Sequence, residues 1–190
     1  VIDALANGSH TVRVEATNGY GTGFDEVQFT VDTVPPTVAI SSPVAGTSQN
    51  RTPTFTYTTS DGNAVVTVDG KVVAKNSGDT LDALADGRHT VQVKVTDAAG
   101  NIGSAQVSFV VDNTPPTIVI KSPAEGLVNI TSIPVIYGVS DGTASVTVDG
   151  MAISIASGST LGGLGNGSHT IIVSATDIAG NIGSKSVTFM

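Results

Sequence analysis

The sequence predicts an all-β protein built from tandem seven-stranded antiparallel β-sandwiches. Three observations lead to this prediction. The chain repeats itself at a step of 80 residues, as the pair His89 and His169 illustrates. Short runs of β-branched residues alternate with turn-forming dipeptides such as Asp69-Gly70. No window carries the hydrophobic period of a helix.

Two copies of a seven-residue segment divide the chain. We call them the first joint, Val31–Thr37 (VDTVPPT), and the second joint, Val111–Thr117 (VDNTPPT). Each proline fixes its own φ and favours an extended residue before it, so each joint is a short, stiff connector. The predicted domains are a partial repeat (1–34), a complete middle repeat (35–114) and a nearly complete third repeat (115–190).

The middle repeat contains seven strand patterns, which we letter A, B, C, C′, E, F and G. In chain order they are Thr37–Ile40, Thr54–Thr58, Val65–Val68, Lys71–Ala74, Thr80–Leu84, Thr90–Val95 and Gln106–Val111. In strand F, valines at 91, 93 and 95 alternate with polar residues. This alternation predicts one buried and one solvated face.

The partial repeat holds only the last three strand patterns, at Val1–Leu5, Thr11–Thr17 and Phe24–Asp32. Without the upstream strands of a sandwich, its sheet edges would lack partners. The apolar side chains expected to be exposed are those of Val12, Val14, Val27, Phe29 and Val31. We therefore expect another component to complete it: a separate chain, a cleaved fragment, or a subunit that donates strands.

The composition excludes several classes of function. The 190 residues carry a net charge of −8, and the acidic residues are thirteen Asp against three Glu. Because Asp favours turns, the negative charge is expected in loops. A nucleic-acid surface would need clustered Lys and Arg, and no apolar run reaches the length of a membrane span. No catalytic constellation is present, so the chain is not predicted to be an enzyme.

A cation site is predicted at the end of each sandwich where strand A enters, because the B–C and F–G loops lie there with the incoming joint. Carboxylate and amide oxygens are the ligands that Ca²⁺ prefers. The predicted ligands are Asp32, Asp61, Asp97 and Asn101 for the middle repeat, and Asp112, Asp141, Asp177 and Asn181 for the third. The alternative is that Asp-x-x-Gly-Asn is a plain turn. In the partial repeat Asn18 replaces the F–G aspartate, so the same binding is not expected there.

One histidine begins strand F in each repeat, at His10, His89 and His169. They lie a full repeat apart, so they cannot share an ion within one chain. The predicted role is a ring that packs and hydrogen-bonds to the E–F loop.

Three segments together resemble the bacterial Ig-like repeats of large surface adhesins. They are Leu84–Val91 (LADGRHTV), Thr96–Asn101 (TDAAGN) and Val111–Pro116 (VDNTPP). The resemblance covers the whole chain. It implies tandem Ig-like β-sandwiches in a rod-like array, a stalk at the bacterial cell surface or outside the cell, and calcium at the junctions.

The first functional hypothesis is a structural spacer. The alternatives are a filament subunit whose partial repeat is completed by a neighbouring chain, a glycan- or protein-binding module, and an accessory region of a secreted hydrolase. Aromatic residues make up only 4% of the chain, which speaks against a binding module because binding hot spots favour Tyr, Trp and Arg.

Overall fold

The computed structural model describes residues 3–190, which form strands, turns and coil. They form two compact units. The first comprises the chain up to Val44 with Pro53–Leu81 and Thr90–Ser108, and the second comprises Ala45–Thr52, Asp82–His89 and Phe109–Met190. Nowhere in this described part of the chain is there a helix long and apolar enough to span a membrane.

The partial repeat is a single β-hairpin. Strands β1 (Gly8–Asn18) and β2 (Gly21–Val31) pair antiparallel along their whole length and form a two-stranded sheet. The Asn18 carboxamide oxygen accepts hydrogen bonds from the N–H groups of Tyr20 (2.9 Å) and Gly21 (3.2 Å), which closes the turn. Of the predicted first strand, residues 1 and 2 lie outside the described residues, and residues 3–5 are not a strand.

The middle repeat has seven strands in two sheets. They are β3 (Val38–Ser42), β4 (Thr47–Ser48), β5 (Thr56–Thr59), β6 (Asn63–Val68), β7 (Lys71–Val73), β8 (Gly87–Thr96) and β9 (Ile102–Val111). One sheet is β3-β5, and the other has the order β4-β9-β8-β6-β7. Strand β4 runs parallel to β9, whereas β6 runs antiparallel to both β7 and β8.

The alternation in strand F is confirmed, because Val91, Val93 and Val95 are all fully buried. The predicted turn between strands C and C′ is also present. Asp69 (φ +51°) and Gly70 (φ +76°) both occupy the left-handed region, as a two-residue hairpin turn of type I′ requires.

Two details of the predicted strand set are wrong. The predicted E strand, Thr80–Leu84, is reduced to one bridge between Thr80 and Thr54. Leu81 N–H still donates to the Pro53 carbonyl (3.0 Å), but proline has no N–H to return the bond, so the ladder stops. The seventh strand is instead β4, a two-residue segment without a strand pattern in the sequence.

The third repeat also has seven strands. They are β10 (Ile118–Ser122), β11 (Ser132–Val139), β12 (Thr143–Val148), β13 (Met151–Ile153), β14 (Ser159–Gly162), β15 (His169–Thr176) and β16 (Ile182–Phe189). The sheets are β10-β11-β14 and β13-β12-β15-β16. Val135 from the first and Ile171 and Val173 from the second are fully buried in one core cluster. Two sheets that share one core make a sandwich, and the predicted all-β class is confirmed.

Candidate functional site at the two joints

The F–G loop of the middle repeat is held by two hydrogen bonds that Asn101 donates to the Asp97 carboxylate. The Asn101 N–H donates to Asp97 Oδ1 (2.8 Å), and its side-chain Nδ2 donates to Asp97 Oδ2 (2.9 Å). The third repeat has the same bonds between Asn181 and Asp177, both 2.8 Å long. Asp97 and Asp177 are each only 8% exposed, so these carboxylates are buried and hydrogen-bonded.

These contacts determine the ionisation of the two aspartates. Burial opposes the charged form of Asp97, but the side-chain and backbone hydrogen bonds from Asn101 and the backbone bonds from Ala99 and Gly100 outweigh it. The pKa of Asp97 is therefore below its ordinary value. The balance is the same for Asp177, whose pKa is also lowered.

The same asparagines bind the incoming joints. Asn101 Nδ2 also donates to the main-chain oxygen of Asp32 (3.0 Å), and Asn181 Nδ2 donates to that of Asp112 (2.9 Å). Each joint aspartate turns its carboxylate onto its own segment, where Oδ1 accepts from the N–H two residues later at 3.0 Å. One asparagine therefore connects a buried carboxylate to the backbone of the joint.

A glycine brings each joint against the start of strand G. A Cβ added to Gly103 would overlap the Pro36 carbonyl oxygen, and one added to Gly183 would overlap that of Pro116. Neither glycine has a left-handed φ, so the need for glycine is the close approach of the two backbones. This contact was not predicted from the sequence, although both glycines obey the 80-residue step and each follows an Asn-Ile pair.

The B–C loop approaches this region through its backbone. An added Cβ on Gly62 would lie 2.6 Å from the Thr96 carbonyl oxygen, so the loop packs on the end of strand β8. The Asp61 carboxylate accepts a hydrogen bond from Ser60 Oγ (3.0 Å), and that hydroxyl accepts one from Thr37 N–H (3.1 Å). In the third repeat Asp141 accepts from Ser140 Oγ in the same way, at 2.9 Å.

The structure thus brings Asp97 and Asn101 together with the main chain of Asp32, and Asp177 and Asn181 together with that of Asp112. The Asp61 and Asp141 carboxylates bond to their neighbouring serines instead. Among residues 3–190, no group of three or more His, Cys, Asp and Glu side chains could hold a metal ion. The calcium site stays a prediction.

The predicted role of the histidines is confirmed. Nε2 of His10, His89 and His169 lies 2.7, 2.8 and 2.9 Å from the carbonyl oxygen four residues earlier, in the loop before strand F. Each ring also packs on the phenylalanine of strand G, with centroids about 6 Å apart. These rings fix the E–F loop to the F–G hairpin.

Two family models match the chain, and both are described as bacterial Ig-like domains. One matches residues 42–113, and the other, described as group 3 of these domains, matches residues 78–166. A relative named halomucin, from Haloquadratum walsbyi, is 35% identical over 96 residues, which are 45% of this chain. The chain spans about 1% of the length of that relative.

Remote likenesses to solved structures also exist. Fibronectin(III)-like modules of Clostridium thermocellum CbhA share 18% identity at a TM-score of 0.45, covering 80% of this chain and 93% of theirs. The protocadherin GammaB4 extracellular domain shares 15% identity at a TM-score of 0.48, covering 95% of this chain and 38% of its own. These likenesses are too remote to indicate what this chain binds.

Proposed function

Because this chain belongs to the bacterial Ig-like domain family, whose models together match residues 42–166, we propose that it is a spacer segment of a surface or secreted protein. The likeness to halomucin over 96 residues supports a location outside the cell or at its surface. In this proposal the repeats set a distance and an angle, and they carry no chemistry of their own.

The observation that carries the proposal is the identical construction of the two joints. Both have an Asn–Asp pair that binds the joint main chain, and both have a glycine in contact with the second proline. A spacer needs a joint that resists bending, and a partly buried hydrogen bond together with a backbone contact resists it better than a flexible linker.

Small-angle scattering of the double variant Asn101→Ala/Asn181→Ala tests this function. Loss of both bonds should broaden the distribution of interatomic distances, because the joints then sample more angles. The matched control is Asn76→Ala, since Asn76 is an exposed asparagine away from both joints. If the double variant scatters like the control and the wild type, the asparagines do not stiffen the joints and the spacer proposal loses its support.

Calcium belongs to this proposal as a separate prediction. Extracellular calcium-binding modules bind calcium at roughly millimolar concentration. We expect calcium at this concentration to narrow the distribution of interatomic distances and to slow proteolysis at the joints. Superimposed profiles with calcium and with chelator would remove calcium from the proposal and leave the hydrogen-bonded joints in place.

A second candidate function is a filament subunit, and the hairpin of the partial repeat favours it. Val14 is 66% exposed and Val27 is 60% exposed, and both lie on its apolar face. A neighbouring chain that supplied strands would cover this face. Sedimentation over a wide concentration range discriminates between the functions. The assemblies formed by a filament subunit become larger as the concentration rises, whereas a spacer segment stays monomeric.

A further inference from the structure

The third repeat has a cavity of about 210 Å³ between the segment 127–131 and the E–F loop. Its floor is the buried pair Ile133 and Phe189, and its exposed rim includes Leu127 and Asn166. The cavity therefore combines apolar side chains with the polar side chains of Thr131, Asn166 and His169. Such a lining suits a short peptide that has both apolar and polar side chains.

In the middle repeat, the positions that correspond to this rim hold the second joint. The counterpart of Asn166, 80 residues earlier, is Asp86. It accepts hydrogen bonds from Thr114 Oγ1 (3.0 Å) and from Asn113 Nδ2 (3.4 Å). The Ser48 carbonyl accepts from the N–H of Asp112 at 3.0 Å. The first residues of the second joint, Asp112, Asn113 and Thr114, thus lie along this rim, directly after strand β9 ends at Val111.

The partial repeat makes the equivalent contact with an asparagine. Asn7 Oδ1 accepts from the Thr33 N–H (3.1 Å) and from Thr33 Oγ1 (2.9 Å). The rim residue and the joint sequence therefore vary together within this chain. An asparagine at the rim receives the Val-Asp-Thr of the first joint, and an aspartate receives the Val-Asp-Asn-Thr of the second.

The difference between Asn7 and Asp86 follows from the charged neighbour of Asp86. Asp86 accepts an ion-paired hydrogen bond from Arg51 at 2.7 Å. The position that corresponds to Arg51 in the third repeat is Thr131, which lines the cavity and carries no charge. Asn166, with the neutral Thr131 beside it, therefore corresponds to the uncharged Asn7 of the partial repeat. The sequence expected beside it is Val-Asp-Thr.

The backbone fixes the direction of the occupant. Met190 N–H donates to the Gly126 carbonyl (2.9 Å), and Val128 N–H donates to that of Met190 (2.7 Å). In the middle repeat the ladder begins in the same way, with Val110 N–H donating to the Gly46 carbonyl (2.8 Å), and it continues with the bond to Ser48. The Val128 carbonyl corresponds to that of Ser48, so it is the next acceptor in the ladder.

We propose that this cavity binds an extended peptide segment of the sequence Val-Asp-Thr-x-Pro-Pro. Its aspartate N–H donates to the Val128 carbonyl, and its threonine N–H and hydroxyl donate to Asn166 Oδ1. The proposal goes beyond the spacer function, because it specifies which joint sequence this type of repeat accepts. It does not require that the joints be stiff.

The test extends the full chain directly after Met190 with Val-Asp-Thr-Val-Pro-Pro-Thr. Hydrogen exchange at the added threonine N–H and the NMR shift of the Asn166 side-chain amide are then measured. One net hydrogen bond should slow exchange about fivefold. Two controls carry Asn166→Ala or an alanine in place of the added threonine. Asn166 is exposed, so neither control should disturb folding.

Slow exchange at the added residue in the chain that has Asn166, and its loss in Asn166→Ala, support the site. The alanine extension keeps its backbone N–H, so it should lose only the part of the protection that depends on the hydroxyl. Equal exchange in all three chains overturns it, and so does an extension of scrambled order that gives the same protection. Scattering of the joint variants does not enter this readout, so the cavity proposal and the spacer proposal can fail separately.

Discussion

His169 shows how one side chain makes the stability of the third repeat depend on pH. Nδ1 lies 2.8 Å from Asp149 Oδ2, and Nε2 lies 2.9 Å from the Gly165 carbonyl oxygen. The side-chain hydrogen bond with Asp149, followed by that to Gly165, raises the pKa of His169 above its ordinary 6.5. The hydrogen bond from His169 in turn lowers the pKa of Asp149.

The direction of the pH effect follows from these shifts. The protonated ring is bound more tightly in the folded state, so its contribution is complete below pH 6.5 and is lost as the pH rises through the raised pKa. We expect the free energy of unfolding of the third repeat to fall across this window in denaturant titrations. In the Asp149→Asn variant the fall in the free energy of unfolding should be smaller. Asparagine tolerates the left-handed backbone conformation at this position. Equal slopes in both proteins would contradict the prediction.

Asn101 carries a larger structural role than a turn residue usually does. Its carboxamide makes one bond to the Asp97 carboxylate and one to the Asp32 main chain. At about 1 kcal/mol for each bond, Asn101→Ala should lower the free energy of unfolding by about 2 kcal/mol at neutral pH. Denaturant unfolding measures this, and Asn76→Ala should change it little.

Lowering the pH into the acid range should reduce the difference in the free energy of unfolding between wild type and Asn101→Ala. The pKa of Asp97 is lowered, so its contribution is present above the ordinary value of 3.8 and is lost as the pH falls through the lowered pKa. The Asn101→Ala protein already lacks part of this contribution at neutral pH. A difference that stays constant down to the lowest pH at which both proteins fold would show that the Asp97 bond is not the cause.

At the scale of elements, the joint depends on strand G as much as on its own prolines. Gly103 and Gly23 occupy the same position in β9 and β2, 80 residues apart. An added Cβ on Gly103 would overlap the Pro36 carbonyl, whereas one on Gly23 would meet nothing within 4 Å. In this pair of glycines, only Gly103 has a joint packed against it.

We expect Gly103→Ala to destabilise the first unit by about 1–3 kcal/mol, because the obstructing atom is backbone and moves only if the joint moves. Gly23→Ala should be close to neutral. Denaturant unfolding measures the free energies, and protease cleavage within Val34–Thr37 reports on the joint itself. Equal effects of the two substitutions would show that the approach of the joint to strand G is unimportant.

The elements that the sequence predicted well are those with a local signal. The alternating valines of strand F and the Asp-Gly turn between strands C and C′ depend on neighbouring residues alone. Strand β4 has only two residues and pairs with β9, which lies some sixty positions later in the chain. No period can identify it. The loss of the E strand depended on Pro53, which acts on a distant partner through its missing N–H.

The candidate site was predictable to a similar extent. Placing the loops at one end of the sandwich correctly brought Asp97 and Asn101 to the joint. Residue types alone did not determine which atoms of Asp32 would take part, because a carboxylate can cap its own turn while its carbonyl is bound by another residue. The Gly103 contact repeats at the 80-residue step and could have been identified from Asn-Ile-Gly.

At the scale of the whole molecule, the partial repeat differs from the others in burial rather than in pattern. Val14 corresponds to Val93, yet Val14 is 66% exposed and Val93 is fully buried. Both lie on the face of the F–G hairpin that a sandwich buries. The hairpin therefore carries the side chains of a core without the opposing sheet.

A copy of residues 35–84 placed directly before Ala6 would supply that opposing sheet, since Ala6 corresponds to Ala85. In the extended chain Val14→Ala should cost about 2 kcal/mol, the loss expected for two buried methyl groups. In the original chain the same substitution should cost less than about 0.5 kcal/mol, because the side chain is largely in solvent. Glu26→Ala, on the opposite face, should be close to neutral in both chains. Should Val14→Ala prove equally mild in both, the hairpin face does not accept strands of this pattern, and a partner of another kind would have to cover it.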